Sequence, residues 1–162
     1  MKRSDYKQAI EDYVRTLSEL TAKLGRYPEG INRLAFTPAE TDAMEWASQL
    51  LEGFGYFCEW DSFLNLHAID PCIGEERILV GTHLDTVLDA GAYDGTVGLI
   101  TFLISLQLSD DEGRAFAYPV DFVVFRAEES TVFKEALLGS KVATGLFSLG
   151  DLMNRTYERS DD

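Results

Sequence analysis

Two short runs hold the residues whose types and spacing could do chemistry: Gly81-Thr82-His83-Leu84-Asp85-Thr86-Val87 and Arg126-Ala127-Glu128-Glu129. His83 and Asp85 stand two apart, so in an extended segment their side chains point the same way. A metal-bound imidazole needs an acceptor for its other N–H. A carboxylate supplies one, fixing the tautomer and making the ring a better ligand. The same pair could also do no more than order the end of a strand. Glu128 and Glu129 are adjacent and follow an apolar stretch, which places them near a buried edge. Side-by-side carboxylates there repel one another unless a proton or a metal neutralises them. Neighbours on an extended chain face opposite ways, so one glutamate is expected to bind metal while the other addresses a water, as metal-assisted hydrolysis requires. Paired glutamates also occur on ordinary surfaces with no such task.

Asp94 lies between the two runs, in Ala92-Tyr93-Asp94-Gly95-Thr96-Val97-Gly98. At the start of a helix an aspartate can simply cap exposed N–H groups. Three glycines, Gly91, Gly95 and Gly98, crowd this one carboxylate. That density suits close backbone approach or strained dihedral angles. With two oxygens, Asp94 could bridge two cations.

The elements that must position these residues follow from periodicity. Ile10, Val14, Leu17, Leu20 and Leu24 mark an amphipathic helix over residues 6 to 24, and a polar loop follows. Thr37-Pro38-Ala39-Glu40 predicts a helix start with a capping box, turning Ala43, Trp46, Ala47, Leu50 and Leu51 inward and stopping near Gly53 and Gly55. Tyr56 to Trp60 and Phe63 to Ile69 predict a hairpin, with Leu64, Leu66 and Ala68 on one face and Asn65 and His67 on the other. Ile78-Leu79-Val80-Gly81 and Val120 to Phe125 read as strands buried on both faces. Helices are expected over Val97 to Leu108 and Glu135 to Thr144, with Ser148 capping a last short one. Both chemical runs then fall at the carboxyl ends of strands, where open α/β sheets place ligands. The element order predicts an α/β layer fold with a mixed sheet.

Composition narrows the function. The chain has 162 residues, 46% hydrophobic and 26% charged, with a net charge of −14. That suits one globular unit. An acidic surface repels phosphate backbones and anionic headgroups, so neither nucleic acid nor membrane is an expected partner. No run approaches the roughly 20 apolar residues of a membrane span. With no apolar run after the charged opening residues, the expected compartment is the cytoplasm. Cys58 and Cys72 lack metal-knuckle spacing and read as small hydrophobes, Trp46 and Trp60 as core, and His67 as a strand-face residue.

The ordered set Gly81 to Val87, Tyr93-Asp94-Gly95, Glu128-Glu129 and Leu137-Leu138-Gly139-Ser140 resembles the metallopeptidase and amidohydrolase family of aminoacylases and glutamate carboxypeptidases. Gly30-Ile31-Asn32-Arg33-Leu34-Ala35-Phe36-Thr37 and the Asp-x-x-x-Asn pattern of Asp61 to Asn65 are similar to further family segments. Within the family the likeness is to N-carbamoyl-L-amino-acid hydrolases and allantoate amidohydrolases, over roughly Gly25 to Leu152. The resemblance implies a three-layer, zinc-exopeptidase-like α/β fold with a mixed, mostly parallel sheet. Residues 1–162 would be part of the catalytic domain, without the lid and dimerisation domain. It implies hydrolysis of a ureido or amide C–N bond using two divalent cations (zinc, manganese or cobalt). His83 would bind one metal, Asp94 would bridge both, Glu129 would bind the second, Asp85 would orient His83, and Glu128 would be the general base. A cis peptide is implied after Asp94.

The departures set further expectations. The family's Glu-Glu-Gly-x-Arg-Phe stands here as Glu128-Glu129-Ser130-Thr131-Val132-Phe133, and Leu88-Asp89-Ala90 replaces a Pro-Asn-Gly. No histidine follows Glu129, whereas family members supply two more histidine ligands downstream. The isolated chain is therefore expected to bind one cation weakly or none, to be inactive alone, and to self-associate through an uncompleted sheet. An aminoacylase or dipeptidase specificity, or a non-catalytic structural or interaction domain, are the alternatives.

Overall fold

In the computed structural model, residues 7–8, 10–12, 14–15, 26–27 and 30–153 are described. Most of the helix expected over residues 6 to 24 lies outside them. The elements, in order, are β1 (Arg26–Tyr27), β2 (Gly30–Ile31), α1 (Pro38–Gly53), β3 (Phe57–Trp60), β4 (Leu66–Ile69), β5 (Ile78–His83), α2 (Thr96–Asp111), β6 (Val120–Phe125), α3 (Leu138–Ala143) and α4 (Leu149–Met153). The small β1–β2 ladder falls in the segment read as a polar loop. No described helix is long and apolar enough to cross a membrane.

The main sheet is four-stranded, in the order β3-β4-β6-β5. It is mixed, as expected. Its described pairings are mainly antiparallel, because β3 with β4 and β4 with β6 run antiparallel and only β5 with β6 runs parallel. Alternation along the strands sends Leu66, Ala68, Val120, Phe122 and Val124 to one face, where they share a core with Ala43, Met44, Ala47 and Leu51 of α1 and Leu99, Ile100, Phe102 and Leu103 of α2. Both long helices thus cover the same face.

Several sequence expectations about burial change. The Ile78–Val80 run is apolar, yet Ile78, Leu79 and Val80 are 47%, 65% and 36% exposed. Among the described strands β5 pairs only with β6 and forms the sheet edge, so apolar composition reported what the strand could bury rather than what it does bury. Leu64 also leaves the hairpin face. It has φ 65° and is 49% exposed, because Asp61 closes a turn by accepting the backbone N–H groups of Phe63 and Asn65. Trp60, expected in the core, is also exposed, while Trp46 and Leu50 are only partly buried. Cys58 packs against the core and donates to Ser48 O, whereas Cys72 is exposed.

The capping expectation for α1 holds and extends. Thr37 accepts from Glu40 N. The Glu40 carboxylate reaches back to Phe36 N, one residue before the cap, and its other oxygen accepts Ala127 N at 3.3 Å. Arg126 Nε lies 3.5 Å from it. A fully buried glutamate therefore ties the start of α1 to the turn after β6. The last helices are shorter than expected. Glu135 lies outside α3, which starts after Leu137 in the left-handed region, and Ser148 caps α4 by accepting Asp151 N.

Two stability predictions follow from these contacts. A Cβ on Gly98 of α2 would come within 2.7 Å of Thr82 Cβ on β5. Gly→Ala at an open helix site should stabilise by about 1 kcal/mol. Gly98→Ala is instead expected to destabilise by roughly 1–3 kcal/mol through overpacking, as measured by urea unfolding. Burial pushes Glu40 up from 4.5 to about 7, against Arg126 and the Phe36 and Ala127 N–H groups and assisted by Asp85. A raised folded pKa means stability that is full below the unfolded value and lost as pH rises through about 7. Glu40→Gln should remove that slope. Its stability relative to wild type should improve by on the order of 3 kcal/mol between pH 4.5 and 8, whereas parallel pH curves would refute the assignment.

Candidate metal centre

β5 and β6 lie side by side and parallel, with His83 opposite Phe125 at their carboxyl ends. The two chemical runs therefore leave the sheet at the same place, as the sequence required. One ligand atom each from His83, Asp94 and Glu129 fall within 4.8 Å of one another. All three side chains are partly buried. One imidazole and two carboxylates at this separation fit a divalent cation, and the donor chemistry suits zinc, manganese or cobalt. Glu128 stands beside the trio, with its Oε2 3.7 Å from His83 Nε2. Both glutamates thus lie on the His83 side. The expected opposite-facing arrangement does not form: the pair lies beyond the end of β6, after Ala127 at φ 53°, and not on an extended strand.

Asp85 serves a different pair of donors from those its spacing suggested. His83 Nδ1 is 2.9 Å from the Asp85 backbone carbonyl and 3.6 Å from its carboxylate. The carboxylate, fully buried, accepts Glu128 N at 3.0 Å and Glu129 N at 2.9 Å. Asp85 therefore holds the imidazole through its main chain and the paired glutamates through its side chain. Burial works against the charged His83 ring, but Asp85, with Glu128 beyond it, overrides that and pushes the pKa up to about 9. The Glu129 carboxyl is raised above its ordinary value, first by burial and then by the charges of Asp94 and Glu128. A cation between these groups relieves that repulsion.

Asp94 is not a helix cap. The N-cap of α2 is Gly95, with no side-chain cap bond, and Asp94 Oδ2 accepts Val87 N at 3.2 Å. No cis peptide occurs in the described chain, so the expected one after Asp94 is absent. The turn is made by Gly95 at φ 66° instead. A Cβ there would lie 2.9 Å from His83 Nδ1. The glycine lets the Asp94 turn approach the imidazole directly.

Behind these residues sit three that the sequence reading gave no part in the site. Arg33 is fully buried and bonds to the loops bearing His83 and Asp94. Glu40 holds Ala127 N. Asn65 donates to Asp61 and to Gly139 O and accepts Arg126 N at 2.9 Å. His67 completes the Asp61 cluster at 3.1 Å and lies outside the trio, in line with its strand-face reading. For Glu40, the capping-box pattern was the available signal, but it pointed only to the local use of the side chain.

Comparisons with known proteins identify the family. Peptidase family M28 matches residues 65–145, half of the chain. The chain is 30% identical over 156 residues to an allantoate deiminase of Arabidopsis thaliana, covering 93% of this chain and 30% of that protein. It is 29% identical to an N-carbamoyl-L-amino acid amidohydrolase of Geobacillus stearothermophilus, covering 76% of this chain and 31% of that protein. A hydantoinase/carbamoylase family amidase from Burkholderia ambifaria superposes with a TM-score of 0.81 at 30% identity, covering 91% of this chain and 37% of the other. The chain thus spans about a third of the length of these relatives. Shared motifs, shared fold and the family match lead to one conclusion: the chain belongs to the metallopeptidase and amidohydrolase family described as peptidase family M28.

Proposed function

We propose that this chain is the amino-terminal, cation-holding part of a dinuclear-metal amidohydrolase that cleaves the C–N bond of N-carbamoyl amino acids or allantoate-like ureido compounds. The observation that carries the proposal is the convergence of His83, Asp94 and Glu129 with Glu128 beside them. His83, Asp94 and Glu129 would hold the cation. A bound divalent cation supplies Lewis acidity and lowers the pKa of water. Glu128 is the general base. It takes a proton from the attacking water as the C–O bond forms and returns it to the nitrogen as the C–N bond breaks. Asp85 positions both partners through the Glu128 and Glu129 N–H groups.

The metal reading is tested by calorimetric titration with zinc and manganese. Binding to the wild-type chain and its loss in Asp94→Ala is the expected result, and a wild-type chain that binds neither metal would refute the site. Alone, with metal present, the chain is expected to turn over no N-carbamoyl amino acid, allantoate or N-acyl amino acid. Turnover of any of them would overturn the expectation of inactivity and identify the substrate class.

The edge of β5 supports a further part of the proposal, self-association. An exposed apolar edge strand without proline, such as Ile78 to Val80, is a template for pairing with another chain. Light scattering is expected to show a mass above that of the monomer, falling towards it in Leu79→Lys. A monomeric wild type at high concentration would count against it.

A further inference from the structure

Arg33 is a large charged side chain with no exposure at all. Its main chain pairs with Thr86 in both directions: Arg33 N donates to Thr86 Oγ1 and Thr86 N donates to Arg33 O, each at 2.9 Å. Its Nε donates to Leu84 O at 2.9 Å. Its Nη2 donates to Asp94 O and to Thr96 Oγ1, both at 3.0 Å. Nη1 is buried and has no partner among the described residues. One guanidinium thus joins the segment that follows His83 to the segment that carries Asp94. Those segments supply two of the three converging donors, and the bond from Val87 N to Asp94 Oδ2 at 3.2 Å is a second tie between them.

A buried charge left with an unsatisfied donor is costly, and an apolar residue would serve a packing role better. Arginine fits here because its planar fork reaches several acceptors at fixed angles, and its charge is felt by both the Asp94 and Asp85 carboxylates. We propose that Arg33 is a positioning residue of the metal centre, locking the His83–Thr86 and Asp94–Thr96 segments at the separation one cation needs and opposing the repulsion among the carboxylates around it. It rests on the metal reading above but concerns a residue that touches no metal. Lysine keeps the charge but cannot span Leu84 O, Asp94 O and Thr96 Oγ1 together, so charge alone should not suffice.

The test is a cobalt(II) absorption titration of the 162-residue chain, comparing wild type with Arg33→Lys, Arg33→Ala and Leu103→Ala. Leu103 is a buried core residue of α2, and its variant controls for lost stability. The expected result is cobalt affinity weakened by about 10- to 100-fold in both Arg33 variants, the range for groups that hold ligands in place. Their cobalt spectra should also change. Leu103→Ala should lower the melting temperature and leave affinity and spectrum as in wild type. Added methylguanidinium should restore binding to Arg33→Ala. Arg33 variants that bind cobalt like wild type with an unchanged spectrum would overturn the inference and leave the metal reading standing. A wild type that gives no cobalt spectrum would sink both. Should Arg33→Ala not fold, Arg33→Lys decides the matter.

Discussion

The Asp85 carboxylate is the contact on which the site depends. It is fully buried, and its two oxygens accept the N–H groups of Glu128 and Glu129. A buried anion is tolerable only when such donors surround it. Here they come from the segment that presents the proposed base and one proposed ligand. Through its own carbonyl the same residue fixes His83 Nδ1. Residues 43 and 44 positions further along the sequence are thus held by one short side chain, and it can reach them only because β5 and β6 run parallel and end together. The sheet register therefore sets the geometry of the chemistry.

Strain gathers around this anchor. Ala127 is in the left-handed region, where residues other than glycine are uncommon. It is held there by Glu40 on one side and by the bonds to its neighbours Arg126 and Glu128 on the other. Gly139 lies so near that an added Cβ would be 2.8 Å from Arg126 N. The Glu-Glu turn is thus fixed from three directions by residues that never meet a cation. Such over-determination is what keeps sparsely populated backbone conformations in place.

Much of this was legible in the sequence. The order of β3, β4, β5, α2 and β6 followed from apolar periodicity and turn residues, and the His83 and Glu128-Glu129 runs were placed at strand ends, whereas Asp94 was read at a helix start and joined to them through the family resemblance alone. What remained hidden depended on neighbours. The apolar run Ile78–Val80 looks the same whether or not a strand lies on its far side. Glu40 satisfies a local capping rule, which concealed its reach to Ala127. The bonds of Arg33 span 51 to 63 residues, and no window along the chain can show them. Asp85 was assigned to His83 by spacing, and its carboxylate does lie 3.6 Å from Nδ1, but the Glu128 and Glu129 N–H groups that the fold also delivers to it are far away in sequence and could not be read.

The parallel pairing of β5 with β6 also bears on how the chain reaches its native state. Between them lies the whole of α2, so the pairing is a crossover that closes only after a long loop has been ordered. Non-local contacts of this kind form late and slowly. Until the crossover closes, β5 has two open edges instead of one, and His83 is far from Glu129. A cation that binds only the closed form would then draw the folding equilibrium forward by mass action. The ion proposed for the chemistry would then lower the fraction of chains in which an adhesive strand stands uncovered on both edges.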